Sequence, residues 1–265
     1  MNTDMSRLTR AANATVVAEA MFVRPDGDLH AVTVTPLVSD ASVIIALPYA
    51  HRELAEDLAA AAQFALVLSD DRMTLRGWEP LTVRAKIEVE HDLDGDRFND
   101  GLVDQELRKH PPSRVLLDSL RDRHDHWWYV PRLLCHVVPT APVQALTSRS
   151  DPTSGVLARS TADGLTIDTV EVVDADTDHL EVRSLSDREV AGDGEPALLF
   201  RHDYSQPDLE RRSERHEAGR LYGTELRDVV RTGDLVLPEP PSLRERIRSH
   251  RALSKGCRRE LARAR

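Results

Sequence analysis

Two β-prone stretches flank the tetrapeptide Arg24-Pro25-Asp26-Gly27. Residues 14–23 are apolar, and residues 29–38 alternate, with Ala31, Thr33 and Thr35 set against Val32, Val34 and Pro36. Proline presets φ and glycine supplies a positive φ, so this pattern reads as an antiparallel hairpin. The same punctuation continues downstream. Ser39-Asp40-Ala41 is a turn, Val43, Ile44, Ile45, Ala46 and Leu47 form an apolar strand that Pro48 ends, and residues 64–68 form another. Between them, residues 51–62 have helix-forming composition, with Leu54 and Leu58 one turn apart. Val83, Ala85, Ile87 and Val89 alternate with Arg84, Lys86 and Glu88, which predicts one or two strands within 74–90, around Gly77-Trp78-Glu79-Pro80.

Residues 1–13 read as a short helical lead-in. Residues 96–120 read as two helices, one capped by Asp96 and stopped by Pro111-Pro112, the next capped by Ser113. Residues 127–138 are strand-like, and 147–154 is polar and turn-rich, which predicts a linker. Beyond it, 165–173, 179–185, 197–200 and 220–230 read as strands. The segment pair 33–40 and 43–47 matches 168–174 and 180–185 in order and spacing, and 64–68 matches 197–201. This points to a duplication. The expected organisation is a domain at 1–146, a linker at 147–154, a smaller β domain at 155–237 and a basic amphipathic helix at 238–265. Ser242 and Glu245 fit a capping box for that helix.

Charge narrows the function classes. The chain of 265 residues carries a formal charge of −10, yet 242–265 holds nine basic residues against two glutamates. The rest is therefore strongly acidic, a poor match to a nucleic-acid binder. The tail has an apolar stripe of Leu243, Ile247, His250, Leu253, Cys257 and Leu261, which suits docking on an acidic body. No apolar run approaches a membrane span and no signal pattern opens the chain. Cys135 and Cys257 cannot make a disulfide framework, so a reducing cytoplasm is expected. Gly-x-Ser-x-Gly, phosphate-loop and dinucleotide glycine motifs are missing, and His202-Asp203-Tyr204-Ser205 reads as a turn rather than a triad. His110, Asp122, His124, His126, Cys135 and His136 have no standard metal spacing, and the segment 92–96 places its glycine wrongly for a calcium loop.

The first 145 residues resemble the flavin-binding split-barrel family related to pyridoxamine 5'-phosphate oxidase. The Pro25-Asp26-Gly27 hairpin, the strand 31–36, the strand 43–47 with Pro48, the helix from His51 and the strand 64–68 carry the resemblance. QELRKHPPSR from Gln105 and HWWYVPRLL from His126 also resemble a poorly characterised actinobacterial-type group with a similar second half. The resemblance implies a mainly β, α+β fold: a split β-barrel, in tandem, with helical insertions and a C-terminal helix. It implies an FMN site in which the strand-to-helix junction holds the phosphate. The pocket would lie between two barrels, in a homodimer or a single-chain pseudo-dimer.

By that resemblance Tyr49, His51 and Arg52 surround the phosphate, Thr33 and Thr35 reach ring atoms, Arg84 and Lys86 add positive potential, and Trp128 stacks on the isoalloxazine. Catalysis would come from the cofactor, with no protein nucleophile required. The junction departs from the family pattern: its usual lysine is missing, and Glu53, Glu56 and Asp57 crowd Arg52. The corresponding turn of the second half has only Arg188. The expected function is thus a flavin-binding protein, a flavin-dependent oxidoreductase using FMN or a deazaflavin on a small substrate. Two alternatives stand beside it: a haem-binding split barrel, and a cofactor-free scaffold or regulatory module.

Overall fold

A computed structural model describes residues 2–176 and 178–265, so the first residue of the expected lead-in lies outside it. The first half runs α1 (Asn2–Ala14), β1 (Ala18–Val23), β2 (Leu29–Val34), β3 (Pro36–Ser39) and β4 (Ser42–Pro48). A 3-10 turn (Tyr49–His51) then leads into α2 (Arg52–Ala60), β5 (Gln63–Leu68) and β6 (Leu81–Asp92). The helical insertion holds α3 (Val103–Lys109), α4 (Arg114–Leu117) and α5 (Leu120–Asp125), before β7 (Arg132–Pro139) and the short β8 (Gln144–Ala145). The second half is β9 (Gly155–Thr161), β10 (Gly164–Ala175), β11 (His179–Ser184), β12 (Gly192–Tyr204), β13 (Arg212–Gly223) and β14 (Glu225–Gly233), closed by α6 (Leu243–Ala264).

The first half forms the antiparallel path β2-β1-β5-β6-β7-β4-β3, with β8 on the edge of β6. Only Thr35 separates β2 from β3. Pro36 has no N–H with which to extend the β1 ladder, so the chain leaves β1 there and pairs with β4, Pro36 opposite Ile45. The ring is therefore split at one point. The second half closes completely, in the order β10-β11-β14-β13-β12-β9. With β2 and β3 counted as one interrupted strand, both halves have the cyclic order first, second, third, sixth, fifth, fourth. This is a mainly antiparallel split-barrel architecture with helical insertions and a C-terminal helix.

Four apolar clusters hold it among the described residues, the smallest joining Val16 and Val17 to Tyr204 and Leu209. Of the others, one lies beneath α1, α2, the insertion and α6; a second fills the closed barrel with Leu157, Val170, Leu180, Val182, Leu199 and Leu226. The third is the seam between halves: Met21, Val23, Ala31, Ala65 and Val67 meet Val156, Ala158, Leu165, Ile167, Leu198 and Phe200. Packing across the seam is reciprocal, with β2 against β12 and β10 against β5. The polar ties follow suit. Thr33 of β2 hydrogen-bonds Glu214 of β13, and Arg84 of β6 donates to the Asp163 carbonyl ahead of β10.

Alternation along β12 sends Leu199 into the barrel and Leu198 and Phe200 into the seam. A polar core adjoins that seam. Arg149, within the segment expected as a linker, is 1% exposed and donates to Glu19, to the Ser69 hydroxyl (3.0 Å) and to the Ser154 carbonyl (3.1 Å). His202 Nε2 lies 2.8 Å from the same Glu19 carboxylate.

Three local expectations shift. The run 220–230 is a hairpin, not one strand: Tyr222 pairs with Glu225 around Gly223-Thr224, and Gly223 takes φ +59°. Gly-Thr is a weaker turn signal than Asn-Gly, so continuous β-prone residues hid it. The strand expected from 127 starts at Arg132, because Trp127–Val130 belong to the turn closing the insertion. The helix after Asp96 takes its backbone acceptor from Asp92 instead, whose Oδ2 accepts from the Phe98 N–H at 2.8 Å. Ser242 and Glu245 do form the reciprocal capping box.

Candidate functional site

A cleft of about 280 Å³ opens where the two halves and α6 meet. Its floor is the Thr35 break, flanked by Val34, Leu37 and residues 45–48. The insertion supplies Glu106, His110 and Tyr129, the second half supplies Arg212, and α6 supplies Leu253. Three of the expected residues come together here: Thr33, Thr35 and His51.

The polar wall is ordered from within. Glu106 is buried, and its Oε1 accepts from Ser113 Oγ (2.6 Å), Tyr129 OH (3.3 Å) and Arg132 Nη2 (3.4 Å). Arg132 itself lies between the Phe98 and Tyr129 rings, 4.0 and 4.1 Å from their centroids. Ser113 gives its single proton to Glu106, so its oxygen must accept from His110 Nδ1, 2.9 Å away. His110 therefore carries hydrogen on Nδ1 and leaves Nε2 a bare acceptor. Burial, then the nearby Arg212 charge, pushes the His110 pKa down to about 4. The ring is neutral at pH 7.

Arg212 lies opposite. Burial pulls its pKa down, and its Nη2 is buried with no hydrogen-bond partner among the described residues. The guanidinium feels the nearby Glu214 charge but makes no close ion pair among the described residues, so its Nη2 is a donor still open to an anion.

The other expected residues lie elsewhere. Tyr49 is wholly buried, its hydroxyl 3.2 Å from His91 Nδ1, and burial pushes its pKa up to about 12. Arg52 donates to Glu56 (2.8 Å) in a separate polar recess with Glu53, Arg259, Glu260 and Arg263. The adjoining Ala50 packs on α6: a Cβ on Gly256 would sit 2.9 Å from the Ala50 Cβ. Arg84 is committed to the Asp163 carbonyl, and Lys86 is exposed and paired with Glu88. Trp128 is 1% exposed, edge-on to His126, Tyr129 and His250.

Sequence reasoning missed Arg212 and Glu106, and weighed His110 only as a metal ligand. Gln105–Arg114 stands out in the sequence only as a stretch, and its chemistry depends on how the insertion folds back over β3 and β7. Arg212 stands in a run of charged residues with nothing to distinguish it.

His110 also gives a stability signature. The unfolded imidazole titrates near its ordinary value, about 6.5, while the folded one holds out to about 4. As pH falls through that window the unfolded state binds the proton first. Stability present above pH ~6.5 is lost toward pH ~4, by up to about 3 kcal/mol at ~1.4 kcal/mol per unit. Urea unfolding of wild type and His110→Gln at steps across this range should show a steeper acid decline in wild type.

No family model matches the chain, and no curated protein matches it. Solved structures similar to it include a protein of unknown function, Atu2129, from Agrobacterium tumefaciens: 16% identity, TM-score 0.36, covering 55% of this chain and 57% of that one. The match thus spans little more than half of that protein's length. The haem storage protein HutZ from Vibrio cholerae is 13% identical at TM-score 0.35, covering 54% of this chain and 92% of that one. A pyridoxamine 5'-phosphate oxidase-related, FMN-binding protein from Nostoc punctiforme is 11% identical at TM-score 0.29, covering 83% and 95%.

Proposed function

We propose that the chain binds a small anionic, ring-bearing cofactor, FMN in the first instance, in the cleft between its halves. The observation that carries this reading is Arg212: a desolvated guanidinium with an unpartnered nitrogen, facing apolar strand residues and the Thr33 and Thr35 positions. The cleft suits an anion. The Tyr49–Arg52 junction does not, because Arg52 is held by Glu56, three glutamates share its recess, and α6 packs on Ala50. The phosphate, for FMN or for a deazaflavin, is therefore assigned to Arg212 rather than to the junction. A bound flavin would supply oxidoreductase chemistry; the chain's own residues would bind, orient and exclude water.

The same reading includes the single-chain pseudo-dimer. Identical cyclic strand order and reciprocal seam contacts support a tandem duplication, with domains at 1–146 and 155–237, in which one polypeptide supplies both walls of the cleft. A reducing cytoplasm is part of it too: Cys135 and Cys257 are both buried and unpaired. Among the described residues, no helix is long and apolar enough to cross a membrane.

Haem is the second reading, favoured by one observation: the bare, neutral His110 Nε2 in the cleft is a competent iron ligand. Titration of the purified protein with FMN, a deazaflavin and haemin, followed by absorbance, separates the readings. Arg212→Ala should weaken FMN binding about ten- to a hundredfold, the worth of one charge-assisted hydrogen bond of ~1.5–3 kcal/mol. A Soret shift lost in His110→Gln would favour haem. If none of the three binds below millimolar concentration, the cleft is not a cofactor site and the cofactor-free scaffold stands.

A further inference from the structure

The open end of the closed barrel carries a second cationic site. At the mouth, Glu217 is wholly buried on β13, and three arginines converge on it from three strands. Arg201 of β12 donates to Oε2 from Nε (3.1 Å) and Nη2 (2.6 Å). Arg215 of β13 and Arg231 of β14 donate to Oε1 from their Nε atoms, at 3.1 and 3.3 Å. Arg231 is further tied to the backbone carbonyl of His179 (3.4 Å). The recess is a shallow, open one of about 500 Å³, with Val172 and Ala175 on its rim.

A carboxylate has about four acceptor sites, and these four bonds use them. Glu217 is saturated and cancels one positive charge of three. Asp176, on the rim, offers the only other carboxylate of the lining. Among the described residues, the terminal nitrogens of Arg215 and Nη1 of Arg201 have no partner. Their Nε atoms are pinned, so the free donors are preorganised.

With Asp176 counted, three arginines meet two carboxylates in the described lining, and the remaining positive charge is relieved by an incoming anion. Guanidinium forks match phosphoryl oxygens in bidentate geometry. The lining contains no aromatic ring on which a base or isoalloxazine could stack.

We propose that the barrel mouth binds the phosphate or diphosphate group of a small solute, through Arg201 and Arg215, at a site separate from the Arg212 cleft. Calorimetric titration of the full chain with inorganic pyrophosphate and orthophosphate tests this, at low ionic strength and with sodium chloride matched for ionic strength as control. Arg215→Ala removes a partly exposed donor and spares the Arg201–Glu217 pair. It should weaken pyrophosphate binding at least about tenfold, the effect of one charge-assisted contact, while Arg212→Ala leaves it unchanged. Absence of saturable binding overturns the proposal, as does equal affinity in Arg215→Ala, or a loss confined to Arg212→Ala. These outcomes are independent of whether the cleft takes a flavin.

Discussion

Arg149→Met will lower the unfolding free energy by about 3–5 kcal/mol, the range for stripping one partner from a buried ion pair. The guanidinium is the cation for Glu19, itself wholly buried, and it also satisfies Ser69 and the Ser154 carbonyl. Methionine fills the volume and leaves Glu19 charged in a seam where its other oxygen already lacks a partner. His202, 2.8 Å from Glu19, would be its one remaining side-chain hydrogen-bond partner among the described residues. Arg149→Lys should not rescue it, because one ammonium cannot span the serine, the carbonyl and the carboxylate together. The double variant Glu19→Gln/Arg149→Met should recover part of the loss. Denaturant unfolding read by tryptophan fluorescence decides it; a change below about 1 kcal/mol, the scale of surface pairs, would mean the seam is wet.

Trp128→Ala comes second, at about 3–5 kcal/mol, the cost of deleting a large aromatic from a packed core. The indole seats α6: His250 meets it edge-on at 5.4 Å and Tyr129 lies behind at 5.8 Å. The truncation should loosen the C-terminal helix as well as the core, visible as faster amide exchange along residues 243–264 than in wild type. A tryptophan whose role was to stack on a cofactor would behave in the opposite way, with stability almost unchanged and ligand affinity reduced. The two measurements together assign the residue.

Much of the architecture was legible in the sequence because it rests on local chemistry. Pro25-Asp26-Gly27 turns where φ must, with Gly27 at +95°, and Pro48 ends β4 as read. The correspondence of 33–40, 43–47 and 64–68 with 168–174, 180–185 and 197–201 picked out the strands that occupy equal places in the two rings. The cleft was legible only on the side built from β2, β3 and the residue after the 3-10 turn. Its other side depends on pairings far apart in sequence: Arg212 reaches it because β13 starts beside β2, and His110 because the insertion folds back. Periodicity does not encode such meetings. Nor could it show that α6 would settle on Ala50, which turns on Gly256 having no Cβ.

The interrupted strand at Thr35 has a mechanical consequence. The first half lines most of the cleft and Arg212 reaches over it from the second, and the halves meet through the Phe200–Ala31 layer and the Thr33–Glu214 and Arg84–Asp163 ties. The distance from Arg212 to the Thr35 break therefore depends in part on the thickness of that layer. A single methylene added at Ala31 or removed at Leu198 would act as a shim, retuning affinity for a guest that neither side chain ever meets.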